Sequence, residues 1–311
     1  MGRCGRVDPE SPRDRPACFR RLAAALAAVT AAVSGSASAA PATVQTYMAQ
    51  PQAEPAARIA YGPAPAQVVE LFLPKGEGPH PVVVLIHGGC YLAEYEGLKQ
   101  TSGLAADLAS RGYAVWNVEY RKLGEPGAGH PGTYLDVADA LDRLRVEAAR
   151  HSLDAGRVVA LGHSAGGHLA LWAAARPRLP TTSTLWRPDP LRIRAVVSLG
   201  GIGDLKPHAG VFAGACGPSI AQVAPPATYP ETSPGELLPL GVAVTMIHGQ
   251  FDHVMPPDTG RAFAAKARAA GDRAEAIEIE GAGHFDPVIP TTQAWKTVVV
   301  PAIARAFGDA R

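Results

Sequence analysis

The stretch Val158-Val159-Ala160-Leu161-Gly162-His163-Ser164-Ala165-Gly166-Gly167-His168-Leu169-Ala170 decides the fold. Arg157 to Leu161 reads as a short strand, and His168 to Ala175 reads as a helix. Between them Gly162, Ser164 and Gly166 form G-x-S-x-G, the pattern of a sharp strand-to-helix turn. Such a turn forces the serine backbone into a strained conformation, and glycines on both sides let strand and helix pass closely. The serine hydroxyl then stands at the top of a sheet. The N-terminus of the following helix supplies partial positive charge for an oxyanion.

Working outward, strands and helices alternate. Gln67 to Leu73 and the β-branched run Pro81-Val82-Val83-Val84-Leu85-Ile86 read as strands, the second buried on both faces. Further strands are expected at Tyr113 to Val118, Ile193 to Leu199, Val242 to Ile247 and Ala274 to Ile279. Helical spacing covers Thr133 to His151, Thr259 to Ala270 and Thr291 to Phe307, the last with Pro301 as a bend point. This alternation predicts an α/β protein with a mostly parallel central sheet and helices on both faces. Ligands bind such sheets at the carboxyl ends of the strands.

The run Gly162 to Ala174 resembles the nucleophile region of the α/β-hydrolase superfamily. It is most similar to the esterase/lipase branch of hormone-sensitive-lipase-like, feruloyl or acetyl esterase-like and kynurenine-formamidase-like enzymes. The resemblance spans roughly residues 65–308. It implies the α/β-hydrolase fold, Ser164 as nucleophile, and hydrolysis of a small-molecule carboxylic ester without a cofactor. His87-Gly88-Gly89-Cys90-Tyr91 is similar to the His-Gly-Gly motif of that branch. It implies an oxyanion hole built from the segment Gly88, Gly89 and Cys90 together with Ala165. Cysteine at 90, where many relatives carry glycine or an aromatic, keeps the backbone donor but leaves open which second amide is used. Tyr91 follows that loop and is expected to line the acyl pocket.

In this fold the chain order is serine, acid, histidine. His248-Gly249-Gln250-Phe251-Asp252-His253-Val254-Met255-Pro256 resembles the family's acid loop and places the acid at Asp252. Gly281-Ala282-Gly283-His284-Phe285 resembles its histidine loop and places the base at His284. Imidazole titrates near neutral pH and can take the serine proton, and a carboxylate fixes its tautomer. Asp204 is the rival acid, since it also follows a strand. Tyr95 and Trp172 are weaker candidates for the pocket, and Arg121 and Asp136 are read as structural. Two other readings stay open: an amide hydrolase similar to kynurenine formamidase, and a non-catalytic binding module on the same fold.

The 311 residues suit one large α/β domain, and a net charge of +1 offers no electrostatic attraction for nucleic acid. Arg13, Arg15, Arg20 and Arg21, the apolar run Leu22 to Val33 and the small residues Ser36 to Ala40 read as a secretory signal over residues 1–39. That predicts export to the periplasm or the medium. The chain shows no later apolar run long enough to span a bilayer. Residues 40–58, rich in Pro, Ala and Gln, read as a linker, and 59–311 as the catalytic domain. Residues 205–240 lack periodicity and are expected to form a lid-like insertion. Cys4 and Cys18 leave with the signal. Export permits Cys90 and Cys216 to pair, although spacing does not decide it. No H-E-x-x-H, C-x-x-C, G-x-G-x-x-G or Walker A pattern calls for a metal or nucleotide.

Overall fold

The computed structural model describes residues 40–218 and 220–309. The expected signal and its cleavage after Ala39 lie outside the described residues. Eight strands form one sheet: β1 (Ala57–Ala60), β2 (Val68–Phe72), β3 (His80–Ile86), β4 (Ala114–Val118), β5 (Leu153–His163), β6 (Ala195–Leu199), β7 (Ala243–Gly249) and β8 (Ala274–Ile279). Their order is β1-β2-β4-β3-β5-β6-β7-β8. β1 and β2 pair antiparallel, as do β2 and β4, and the remaining pairs are parallel. This is the α/β-hydrolase fold.

The helices are α1 (Val44–Met48), α2 (Ser102–Ser110), α3 (Gly132–Glu147), α4 (Ala165–Ala175), α5 (Leu205–Cys216), α6 (Ile220–Val223), α7 (Tyr229–Thr232), α8 (Pro257–Ala269) and α9 (Val300–Phe307). Strand alternation sorts side chains between two cores. Val82, Val84 and Ile86 face a core shared with α3, α4, α5 and α8. Val83 and Leu85 face the opposite core, shared with α1, α2 and α9. Both faces of β3 are therefore covered, which is why it reads as an unbroken apolar run. Every residue of α4 is buried, consistent with its Ala- and Leu-rich composition.

Several expectations change. Residues 40–58 are not a loose linker. Thr43 caps α1, its Oγ1 accepting from the Thr46 amide at 3.2 Å. Val44, Tyr47 and Met48 then share one face at i, i+3 and i+4 spacing, and Tyr47 is buried in the second core. A five-residue helix is marginal alone, so packing holds it. Residues 205–240 lie between β6 and β7 as an insertion, but they contain α5, α6 and α7 rather than irregular chain. The final helical stretch contains a π-helical segment, Trp295–Val299, before α9. There Pro301 falls in the first turn, where its missing N–H is tolerated.

The crossover from β4 to β5 returns past β3, so the direction of strand progression reverses beside β3. The crevice at the carboxyl ends of β3 and β5 is the topological switch point, where ligands bind in sheets of this kind.

Candidate active site

Ser164 directly follows β5 with φ 53° and ψ −118°, outside the regions an ordinary residue favours. The amide of Ser164 donates to the Leu199 carbonyl at 2.8 Å and its carbonyl accepts from the His168 amide at 3.2 Å, which fixes the turn on both sides. The flanking glycines are required by close approach. A Cβ on Gly162 would sit 2.0 Å from the Gly166 carbonyl oxygen, and one on Gly166 would sit 2.1 Å from that of Ile86. The second contact presses the start of α4 against the end of β3.

His284 stands on the loop after β8, and Asp252 on the loop after β7. The His284 Nδ1–H donates to Asp252 Oδ2 at 2.7 Å. Asp252 Oδ1 accepts from the amides of Val254 and Met255 at 3.0 and 2.7 Å. Because a carboxylate only accepts, this contact leaves Nε2 of a neutral His284 as the free acceptor. Gly200 lets this pair approach β6: with φ at 54°, a Cβ there would meet the His284 ring at 2.9 Å and Asp252 at 3.1 Å. Ser164, Asp252 and His284 are all buried. Ser164 and His284 line one cavity of about 260 Å³ together with Gly89 and Cys90. Clefts of about 530 and 770 Å³ elsewhere are lined by neither Ser164 nor His284.

Gly89, Cys90 and Tyr91 all have positive φ, at 91°, 52° and 60°, so the chain after β3 curls tightly. Gly88 lies against Ser164, where a Cβ would sit 3.1 Å from that of the serine. Among the described residues none accepts from the amides of Gly89, Cys90 or Ala165. These three donors are thus available beside the serine, Ala165 at the first turn of α4. Cys90 is bonded to Cys216 at the end of α5, with Cα atoms 5.2 Å apart. That bond ties the insertion to the loop, and Ala215 of α5 borders the cavity.

The loop is held from behind. Glu119, after β4, accepts from His87 Nε2 at 2.7 Å, Lys122 Nζ at 2.7 Å, the Tyr120 amide at 3.1 Å and the Leu98 amide at 3.1 Å. Burial by itself raises a carboxyl pKa, but His87 and Lys122 outweigh it and hold Glu119 at about 2. The Tyr120 hydroxyl donates to the His87 carbonyl at 3.0 Å, and its ring stacks on that of His87.

Tyr91, expected in the acyl pocket, is not among the residues lining the cavity at Ser164. It is fully buried, and its hydroxyl donates to His168 Nδ1 at 2.6 Å while His168 Nε2 donates to the Thr232 carbonyl at 2.8 Å. Positive φ at Tyr91 turns the side chain into the core against Phe212 instead. Asp204 pairs with Lys266 Nζ at 2.6 Å. Trp172 is core and donates to the Glu231 carbonyl at 2.9 Å. Tyr95 does border the cavity. Arg121 and Asp136 form a two-point ion pair away from the serine, at 2.8 and 2.7 Å.

Among the other histidines, His163 Nε2 donates to the His284 carbonyl at 3.1 Å. Burial, and His284 beside it, push its pKa well below the usual value. His248 is lowered to about 4 chiefly by burial. His253 is exposed. Sequence reading missed Val44, Tyr47 and Met48, whose signal was the spacing after Thr43.

The family model described as BD-FAE matches residues 69–267. Esterase LipC of Mycobacterium tuberculosis is 27% identical over 244 residues, covering 74% of this chain and 59% of its own. The isoprenylcysteine alpha-carbonyl methylesterase ICME of Arabidopsis thaliana is 26% identical over 248 residues, covering 73% and 56%. The chain thus spans less than two thirds of the length of either relative. Among solved structures, a truncated carbohydrate esterase from gut microbiota superposes with a TM-score of 0.67 at 21% identity, covering 81% of this chain and 95% of the other. A thermophilic esterase of Thermogutta terrifontis gives 0.62 at 21%, covering 82% and 92%. No helix among the described residues is long and apolar enough to cross a membrane.

Proposed function

This chain belongs to the BD-FAE family, and from that premise we propose that it is a serine hydrolase of small-molecule carboxylic esters. The observation that carries the reading is the hydrogen bond between His284 Nδ1 and Asp252 Oδ2, on the rim of the cavity that Ser164 enters. His284 Nε2 takes the Ser164 proton as Oγ attacks the ester carbonyl carbon. Asp252 holds the tautomer and stabilises the imidazolium that forms. The amides of Gly89 or Cys90, with that of Ala165, receive the negative charge on the tetrahedral oxygen; a single donor of this kind is worth about 10²–10³ in rate. His284 then protonates the departing alcohol, and water cleaves the acyl-enzyme by the same route.

The ester assignment draws on the relatives, two of which are named as an esterase and a methylesterase. The signal read in residues 1–39 supports export, with the catalytic unit acting in the periplasm or medium.

Hydrolysis of p-nitrophenyl acetate, butyrate and octanoate, a feruloyl ester and N-formylkynurenine tests the reading. The expected result is turnover of one or more esters, lost in Ser164→Ala. Turnover confined to N-formylkynurenine would move the assignment to amide hydrolysis. Turnover that survives Ser164→Ala would remove the nucleophile.

A further inference from the structure

The short helix α1 precedes the matched region 69–267, yet its side chains form one wall of the cavity entered by Ser164. Its position is secured on several sides. The Ala42 amide donates to Asp286 Oδ2 at 3.0 Å, and Asp286 also accepts from the Gly283 amide at 2.8 Å, one residue before His284. Tyr47 stacks on Phe285 with ring centres 5.4 Å apart and meets the His163 ring edge-on at 5.6 Å. Beyond the helix, Gln52 Nε2 donates to the Lys99 carbonyl at 2.9 Å. Tyr47 is the buried anchor, and Val44 and Met48, half-buried on the same face, are free to meet a ligand.

At about 260 Å³ the cavity is smaller than the 300–1,000 Å³ usual for ligand sites. We propose that Val44 and Met48 set the length of the apolar chain that the site accepts, making α1 the specificity-determining wall of the cavity. The proposal rests on the ester-hydrolase reading above. Both side chains present apolar groups and no hydrogen-bonding donor, so they select by volume rather than by a polar contact. Truncation opens room along the wall, and each methylene newly buried there strengthens transition-state binding roughly four-fold. The chain in question belongs to the acyl group or to the alcohol, and the two arms of the test separate these.

The full chain and its Met48→Ala, Val44→Ala and Val44→Trp variants are assayed on two ester series: acetate to octanoate with p-nitrophenol fixed, and methyl to octyl with acetate fixed. The expected result is a rise of at least ten-fold in the long-to-short ratio of kcat/KM for Met48→Ala or Val44→Ala in one series, and a fall for Val44→Trp in that same series. Ratios within two-fold of wild type for all variants in both series would overturn the proposal. If the wild-type protein hydrolyses no ester, the functional reading fails separately, and binding decides the role of α1. Calorimetric titration of octanoate into Ser164→Ala and into Ser164→Ala/Met48→Ala then reads the wall without catalysis. Ten-fold tighter binding to the double variant upholds the proposal, and equal binding overturns it.

Discussion

A disulfide joins Cys90, in the tight turn after β3, to Cys216, at the last residue of α5. The two lie 126 positions apart in sequence, so the bond fastens the insertion to the loop that lines the cavity beside Ser164. Reduction, or Cys216→Ser, is expected to lower stability by about 3 kcal/mol, equivalent to a fall of roughly 5 °C in Tm. Loss of kcat should accompany it at temperatures where the protein stays folded, because the loop that carries Cys90 beside Ser164 is then held less firmly. Thermal denaturation with and without reductant, paired with initial rates at 25 °C, checks both parts.

Asp252 receives one imidazole N–H and two backbone amides. An Asp252→Asn variant keeps the shape but can present an amide N–H to His284 Nδ1, which favours the wrong tautomer. We expect kcat to fall by about 10³–10⁴ with KM little changed. A loss below ten-fold in steady-state assays would reject Asp252 as the partner of the base.

Glu119 holds His87, at the start of the loop that lines the cavity beside Ser164, and is not itself among the residues lining that cavity. In Glu119→Gln, the buried Lys122 loses its counter-charge and His87 its carboxylate partner, which costs about 3 kcal/mol of stability. Through the displaced loop kcat should fall more than KM rises. A drop in Tm with kcat unchanged would make Glu119 purely structural.

Gly166 admits no side chain. Gly166→Ala would set a Cβ 2.1 Å from the Ile86 carbonyl oxygen and 2.4 Å from that of His87. Backbone cannot yield there as a flexible side chain can, so a loss of about 3 kcal/mol is expected, read by urea denaturation. Gly210→Ala, where a Cβ meets nothing within 4 Å, serves as the control on α5 and should keep stability or raise it by up to about 1 kcal/mol.

Stability should decline on acidification below neutral pH, well before most carboxylates titrate. His168 and His248 are lowered from 6.5 to about 4 by burial, so the unfolded chain binds protons between those values that the folded chain does not. Stability therefore rises with pH across that window and is lost as pH falls from about 6.5 to 4, each histidine accounting for up to about 3 kcal/mol. Glu119, held at about 2, adds its own loss only below its ordinary value of 4.5. Urea midpoints at pH 7, 5.5 and 4.5 test this. A His168→Gln variant stable enough to measure should show a shallower decline.

The strand–helix alternation, the G-x-S-x-G turn and the loops bearing Asp252 and His284 are legible in the order of the residues alone. Those features are local: burial on both faces writes an apolar run into β3, and a sterically closed turn demands Gly162 and Gly166 wherever the rest of the chain goes. Weak local signals hid β1, a four-residue antiparallel edge strand with one buried residue, and the helices of the Pro- and Gly-rich insertion. Other features depend on which distant segments the sheet order brings together. Cys90 meets Cys216 because β3 and the segment after β6 both flank β5. Tyr91 turns inward because its backbone is left-handed, a property its neighbours in sequence do not announce. Residues 40–58 read as a linker because α1 is too short to be stable alone, and it becomes a wall of the cavity only where Phe285 and Asp286 are already folded to receive Tyr47 and Ala42.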